Sequence, residues 1–224
     1  YLLYESLQKS NPSEVVPVIG GVATISTLLS SVVILGVGLP TSSTNFIIGF
    51  LILISGMFLI SHFKFTLRSF FFLIGSGVFF GLSTVLIKAI FNDGSFINGF
   101  FWSRMANVVV ALLLLLLPSI YRAIRSDISA GHRGEGGHNK TLFVLGNKVL
   151  AGLAFLCILL AIKYGNVAII NALTAIQYVF IFIFAIFFSK LLPDYFKESV
   201  HKHELLHKSL ATTLIVIGFF ILFV

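Results

Sequence analysis

The sequence predicts an all-α integral membrane protein, a multi-pass helical bundle of two inverted five-helix repeats of which the first is incomplete. Three observations carry that expectation: a composition that cannot make a water-soluble globule, seven apolar runs of membrane-crossing length, and a likeness between the beginning and the end of the chain.

Of the 224 residues 58% are hydrophobic and 10% charged, against roughly 25% charged in an ordinary soluble domain. Mean hydropathy is +1.05. The 25 Phe, added to long Leu, Ile and Val runs, supply more apolar surface than a core of this size can hide, so lipid must solvate the remainder. The formal charge of +7 would suit a nucleic-acid partner only if it lay along one face. Instead Lys and Arg fall in short loops between apolar runs, which removes nucleic acid as a partner and makes the charge a topology signal. Cys157 is the single cysteine, so neither an intrachain disulfide nor a CxxC motif exists.

Apolar runs of about 17 to 24 residues, enough to cross a hydrocarbon core, occupy 15–38, 46–62, 70–91, 98–117, 142–163, 167–188 and 208–224. The first is preceded by Glu14, a carboxylate suited to the positive end of a helix, with Glu5 further upstream, and it stops before Pro40. The second follows after a short connection. The third ends at Asn92-Asp93-Gly94, the fourth at Pro118-Ser119, the fifth at Gly165-Asn166 and the sixth before Pro193-Asp194, all residue types that interrupt helices. Most connections are short, so neighbouring helices should pack antiparallel. Two are long: 118–141, rich in Gly and charge, and 189–207. Asp93, Asp127 and Asp194 read as solvated turn or loop residues.

Residues 9–60 resemble residues 163–222. Lys9 falls on Lys163, Asn11-Pro12 on Gly165-Asn166, and the run from Val15 on the run from Ile169. Pro40 falls close to Pro193, and after a longer linker Gly49 and Gly56 fall on Ala211 and Gly218. This register divides the chain into 1–62, the C-terminal part of a first repeat; 63–69, a connecting loop; and 70–224, a complete second repeat. The chain opens on Tyr1 rather than Met, and the register makes residues 1–9 the end of a third helix, with roughly 70 to 85 residues of the first repeat missing ahead of it. An odd number of helices per repeat inverts the second copy relative to the first.

This arrangement resembles the EamA family of the drug/metabolite transporter superfamily. The likeness rests on Ser13-Glu14-Val15-Val16-Pro17 at a helix start, Trp102-Ser103-Arg104 near the start of the second helix of the repeat, Ala161-Ile162-Lys163-Tyr164-Gly165-Asn166 at a tight turn, and the closing Gly218-Phe219-Phe220. The family often has a Glu after the fourth helix of each repeat; the first copy has Pro40-Thr41-Ser42 there, and Glu204 lies near that place in the second. The resemblance implies a permease, not an enzyme, that moves a small polar metabolite by alternating access as a multi-pass protein of the cell membrane, plasma or bacterial inner. Its expected partners are that metabolite and the lipid bilayer, with homodimerisation open and no cofactor expected. The chain has no GxxxxGK[ST] motif for driving transport with ATP.

Alternating the seven runs puts Lys9, Lys64, Arg68, Arg122, Arg125, Arg133, Lys140, Lys190, Lys197, Lys202 and Lys208 on one side of the membrane. Lys88, Arg104 and Lys163 fall on the other, and Lys148 within a run. The positive-inside rule then places the long connections in the cytoplasm. The resemblance implies the reverse, since ten-helix relatives have both termini there.

Polar side chains within a bilayer are costly and so are site candidates. Asn171, Thr174, Gln177 and Tyr178 recur on one face of the sixth run, either as a wall of a solute cavity or as interhelical packing contacts. In the third run Gly77, Gly81, Thr84 and Lys88 share a face, a small-residue packing surface that ends in a cation able to snorkel. Trp102 with Arg104 reads as a pair of interface anchors or as a binding element. Asn147 and Lys148 lie deeper in the fifth run. The neutral stripe and basic neighbours favour a zwitterionic or anionic metabolite over a cationic one.

One motif points elsewhere. His203-Glu204-Leu205-Leu206-His207 matches HExxH, in which two His one helical turn apart hold zinc and the Glu is a general base, and His201 adds a nitrogen. The 17 residues that follow contain no His, Asp, Glu or Cys, and His132 and His138 lie far upstream. A membrane zinc peptidase and a non-transporting scaffold are the alternative readings; His203 and His207 are weak metal candidates.

Overall fold

A computed structural model of the chain describes residues 12–37, 44–60, 67–118, 120–122, 125, 138–191 and 202–223. Those residues form eight helices: α1 (Pro12–Leu35), α2 (Thr44–Ile60), α3 (Leu67–Asp93), α4 (Phe96–Leu115), α5 (His138–Tyr164), α6 (Val167–Leu173), α7 (Ile176–Leu191) and α8 (Lys202–Phe223). No strand occurs among the described residues. A helix bonds its own backbone, the requirement for a segment that lipid surrounds.

Five stretches are long and apolar enough to cross a membrane: Val15–Leu35, Ser69–Asp93, Phe96–Leu115, Leu142–Tyr164 and Val167–Phe184. The other two expected spans are helical but reach 17 residues each, as Thr44–Ile60 and Leu206–Leu222. Helix α3 ends at Asp93 and α5 at Tyr164, beside the expected Asn92-Asp93-Gly94 and Gly165-Asn166, whereas α1 ends at Leu35, ahead of Pro40. Gly36, at φ +63°, follows α1 in the left-handed conformation that closes a helix. The Ser95 hydroxyl accepts from Asn98 N at 3.3 Å to open α4. The Asn166 carboxamide accepts from Ala168 N at 2.9 Å to open α6. Most of 118–141 and 189–207 lies outside the described residues, with His132, Asp127 and Asp194.

The chain divides into two compact units, Tyr1–Ala89 with Gly165–Val224, and Ile90–Tyr164. In the first, α2 and α8 pack along their whole length through glycines. A Cβ on Gly49 would lie 2.7 Å from Leu222 N, and one on Gly56 3.0 Å from the Ala211 carbonyl oxygen. Gly218 in turn faces the Gly49 carbonyl and Leu53 N, at 2.9 and 2.8 Å from its own added Cβ. Rising numbers on α2 meet falling numbers on α8, so the two run antiparallel. Helix α3 lies against α1 with Gly77 facing Ile19 and Val22, and Gly81 facing Ala23 and Thr27, so this pair is parallel. Small residues let membrane helices approach closely enough for dispersion to hold them. The apolar core of the unit centres on Leu53, Met57, Ile215 and Tyr178.

The second unit is the antiparallel pair α4 and α5. The Lys163 ammonium lies 6.0 Å from the Phe96 ring centre and the Arg104 guanidinium 4.6 Å from that of Phe155. Almost every other side chain of the pair is exposed, as expected where lipid is the solvent.

Candidate functional site: a broken helix on a hydroxyl-lined helix

The sixth apolar run is two helices. After Leu173 the ladder tightens: Ala175 N bonds Ala172 O at 3.0 Å, Gln177 N bonds Thr174 O at 3.1 Å, and Tyr178 N bonds Ala175 O at 3.0 Å. Each bond reaches back three residues instead of four, so the carbonyls of Asn171 and Leu173 drop out of the α-helical pattern. The break at Thr174 and Ala175 falls midway along the 18-residue stretch Val167–Phe184.

Side chains from α1 meet this break. Thr24, Thr27 and Ser31 repeat on one face of α1 and all are buried. The Asn171 Nδ2 group donates to the Ala23 carbonyl at 3.3 Å and to Thr27 Oγ1. The released Asn171 carbonyl accepts from Thr174 Oγ1 at 2.6 Å, and Thr24 Oγ1, whose proton goes to the Gly20 carbonyl at 2.8 Å, stands 3.4 Å from it. Thr27 Oγ1 donates onward to the Gly81 carbonyl at 3.4 Å, and Ser26 Oγ to that of Val78 at 3.1 Å. One polar network therefore joins α1, α3 and α6. The Tyr178 hydroxyl donates to the Val16 carbonyl at 3.0 Å. Gly20 makes room for it, since a Cβ there would overlap the hydroxyl oxygen.

The four residues of the expected stripe take different partners, with the Gln177 side chain hydrogen-bonded to Tyr178. Asn171 and Tyr178 bind the backbone of α1, Thr174 bonds within the break, and Gln177 is exposed. The α1 hydroxyls are site residues that sequence reasoning passed over, although Thr24, Thr27 and Ser31 stand at i, i+3 and i+7.

On α3, Thr84 Oγ1 bonds the Phe80 carbonyl at 2.9 Å within its own helix, and Lys88 is half-buried. In the second unit Lys148 and Asn147 are exposed on α5, and Trp102 is exposed, edge-on to Phe101 at 5.8 Å. Arg104 is deeper than its expected place near a span end. It is the ninth residue of the 20-residue α4, so it sits near the middle of that span. A cation at such depth costs about 2.5 to 3.5 kcal/mol on insertion scales. Its guanidinium rests over Phe155 and Phe100, 4.6 and 5.6 Å from the ring centres, and its buried Nε has no hydrogen-bond partner.

Helix α8 begins at Lys202, so the HExxH segment 203–207 occupies its first turns. The side chains of His203 and Glu204 lie outside the described residues, as does that of Glu14; His207 is half-buried. Among the described residues no three His, Cys, Asp or Glu come together as a metal site.

No protein-family model, no curated protein and no solved structure matches this chain.

Proposed function

We propose that the chain is a secondary transporter of the EamA type, a permease that carries a small polar metabolite across the cell membrane by alternating access between two inverted repeats. The reading rests on crosswise packing in the first unit. The repeat register equates Gly49 with Ala211 and Gly56 with Gly218, yet Gly49 lies against Gly218 and Gly56 against Ala211. Each residue meets the repeat-mate of the other, the signature of a two-fold axis lying across two antiparallel helices.

The same rule holds for α1 against α6 and α7. The register equates Val16 with Ile170 and Thr24 with Tyr178. Tyr178 bonds Val16, and Thr24 reaches Asn171, one residue from Ile170. Both pairs support one axis in the membrane plane, the symmetry from which alternating access is built. Helix directions in this unit support seven alternating crossings: α1, α3 and α8 run one way, and α2 and the α6–α7 pair the other. A helix broken at mid-span, with carbonyls outside the ladder, suits a solute or coupling-ion site.

The test is counterflow in proteoliposomes holding the full-length protein, preloaded in separate arms with amino acids, nucleosides, sugar phosphates or organic cations. Saturable uptake of one labelled class supports the permease; uptake no faster than in empty liposomes for every class rejects it. The bonds from Asn171 and Tyr178 to α1 favour a second reading, a membrane scaffold in which the polar residues only pack helices. That scaffold would be indifferent to Gln177→Ala in any transport assay.

A further inference from the structure

Arg104 stands apart from Lys163 and Lys148, the other cations of spans α4 and α5. Lys163 closes α5 at its C-terminal turn, where the helix end carries negative charge. Lys148 is exposed and seventh in the stretch Leu142–Tyr164, about 9 Å from its start by helix rise, within reach of the interface for a snorkelling side chain. Arg104 lies about 12 Å from the first residue of α4 and about 17 Å from the last, too deep for its stem to bring the guanidinium out of a core about 30 Å thick.

Nor does either helix of its unit supply a counter-ion. The acidic residues are Glu5, Glu14, Asp93, Asp127, Glu135, Asp194, Glu198 and Glu204. None falls between the first residue of α4 and its last, or within α5. Among the described residues the Arg104 side chain makes no ion pair and no hydrogen bond. Its contacts are the faces of Phe155 and Phe100. Aromatic faces attract a guanidinium through its plane, which leaves the in-plane N–H groups, among them the buried Nε, for an acceptor. Those N–H groups form a rigid fork matched to two oxygens of one oxyanion.

We infer that Arg104 is the recognition residue for an oxyanion, a carboxylate or phosphate group, borne by the transported solute. Phe155 and Phe100 hold the fork in orientation without consuming its donors. The inference rests on the permease reading for its solute, but the binding step is measurable without transport.

The experiment uses the full-length protein in neutral maltoside at constant ionic strength. Its melting temperature is measured against succinate, inorganic phosphate and glucose 6-phosphate, with glucose as the uncharged control, for wild type, Arg104→Lys and Arg104→Gln. At least one anion should raise the wild-type melting temperature saturably while glucose does not. Arg104→Lys, which keeps the charge and loses the fork, should weaken the apparent affinity about tenfold, and Arg104→Gln about a hundredfold. Arg104→Lys carries the test if Arg104→Gln fails to fold.

An anion response identical in all three proteins overturns the inference, as does the absence of any response in wild type. A shift given by phosphatidylglycerol nanodiscs and by no soluble anion also overturns it, since the acceptor would then be a lipid headgroup. Counterflow that survives Arg104→Gln leaves the permease and removes this site. Arg104-dependent anion binding without any counterflow leaves the site and removes the permease.

Discussion

Replacing Gly49 or Gly218 by Ala should destabilise the protein, whereas the same change at Gly146 or Gly152 should not. A Cβ on Gly49 would lie 2.7 Å from Leu222 N, and one on Gly218 2.8 Å from Leu53 N, where ordinary contact begins at 3.4 Å. The opposing atoms are backbone, so no rotamer change relieves the clash. Helices α2 and α8 must separate by about 0.7 Å, and a gap of roughly 0.5 to 1 Å forfeits a quarter to a half of the dispersion attraction between facing atoms. Overpacking of this kind costs about 1 to 3 kcal/mol, which for a chain of this size lowers the melting temperature by about 2 to 12 °C. Gly146 and Gly152 have nothing within 4 Å of an added Cβ. Ala there gains helix propensity, for a change between neutral and about 1 kcal/mol stabilising. Melting in maltoside followed by tryptophan fluorescence or static light scattering measures all four variants. Equal shifts at the packed and open glycines, or a stabilised Gly49→Ala, would refute the close α2–α8 packing.

Other outcomes follow from the polar network and from exposure. Asn171→Ala removes two bonds to α1 and should cost about 1 to 2 kcal/mol, at about 0.6 and up to 1.7 kcal/mol per interhelical bond, while Gln177→Ala leaves the melting temperature unchanged and lowers uptake; the reverse pattern would place the cavity on the Asn171 side. Gly20→Ala should displace the Tyr178 hydroxyl, so that Tyr178→Phe costs less in the Gly20→Ala background than alone, which a double-mutant cycle on melting data reads directly. Cys157 is exposed on α5 and seven residues from the end of its span, where surrounding lipid keeps a charged reagent away from it. A charged maleimide applied to intact vesicles should therefore label less than about a tenth of the chains that it labels after denaturation in SDS. Equal labelling in both states would take α5 out of the lipid.

Helix type was legible because apolar runs of bilayer length have one stable backbone solution, and Gly165-Asn166 marked a helix boundary by local chemistry. The glycine seam was legible as a repeat match at Gly49, Gly56, Ala211 and Gly218, though not as a contact. The break at Thr174 was not, because Asn-Ala-Leu-Thr-Ala holds neither Pro nor Gly; the hydroxyls that meet the freed carbonyl come from Thr24 and from Thr174 itself. Thr24 and Thr27 escaped notice because hydroxyls that can return a bond to their own helix weigh little in hydropathy, as Thr24 Oγ1 does to the Gly20 carbonyl at 2.8 Å. Trp102 drew Arg104 towards an interface reading, whereas α4 starts at Phe96 and sinks Arg104 further into the span.

The antiparallel α2–α8 pair is the element on which the inverted-repeat account turns, and cross-linking in native membranes tests it most directly. On a Cys157→Ser background, Asn45→Cys is combined with Leu222→Cys in one protein and with Leu206→Cys in another. The two α8 positions are about 24 Å apart along the helix, beyond the reach of a short bifunctional thiol reagent from one site. The account predicts an intramolecular cross-link between 45 and 222 and none between 45 and 206. A cross-link between 45 and 206, with none to 222, would make the helices parallel and contradict the inverted repeat.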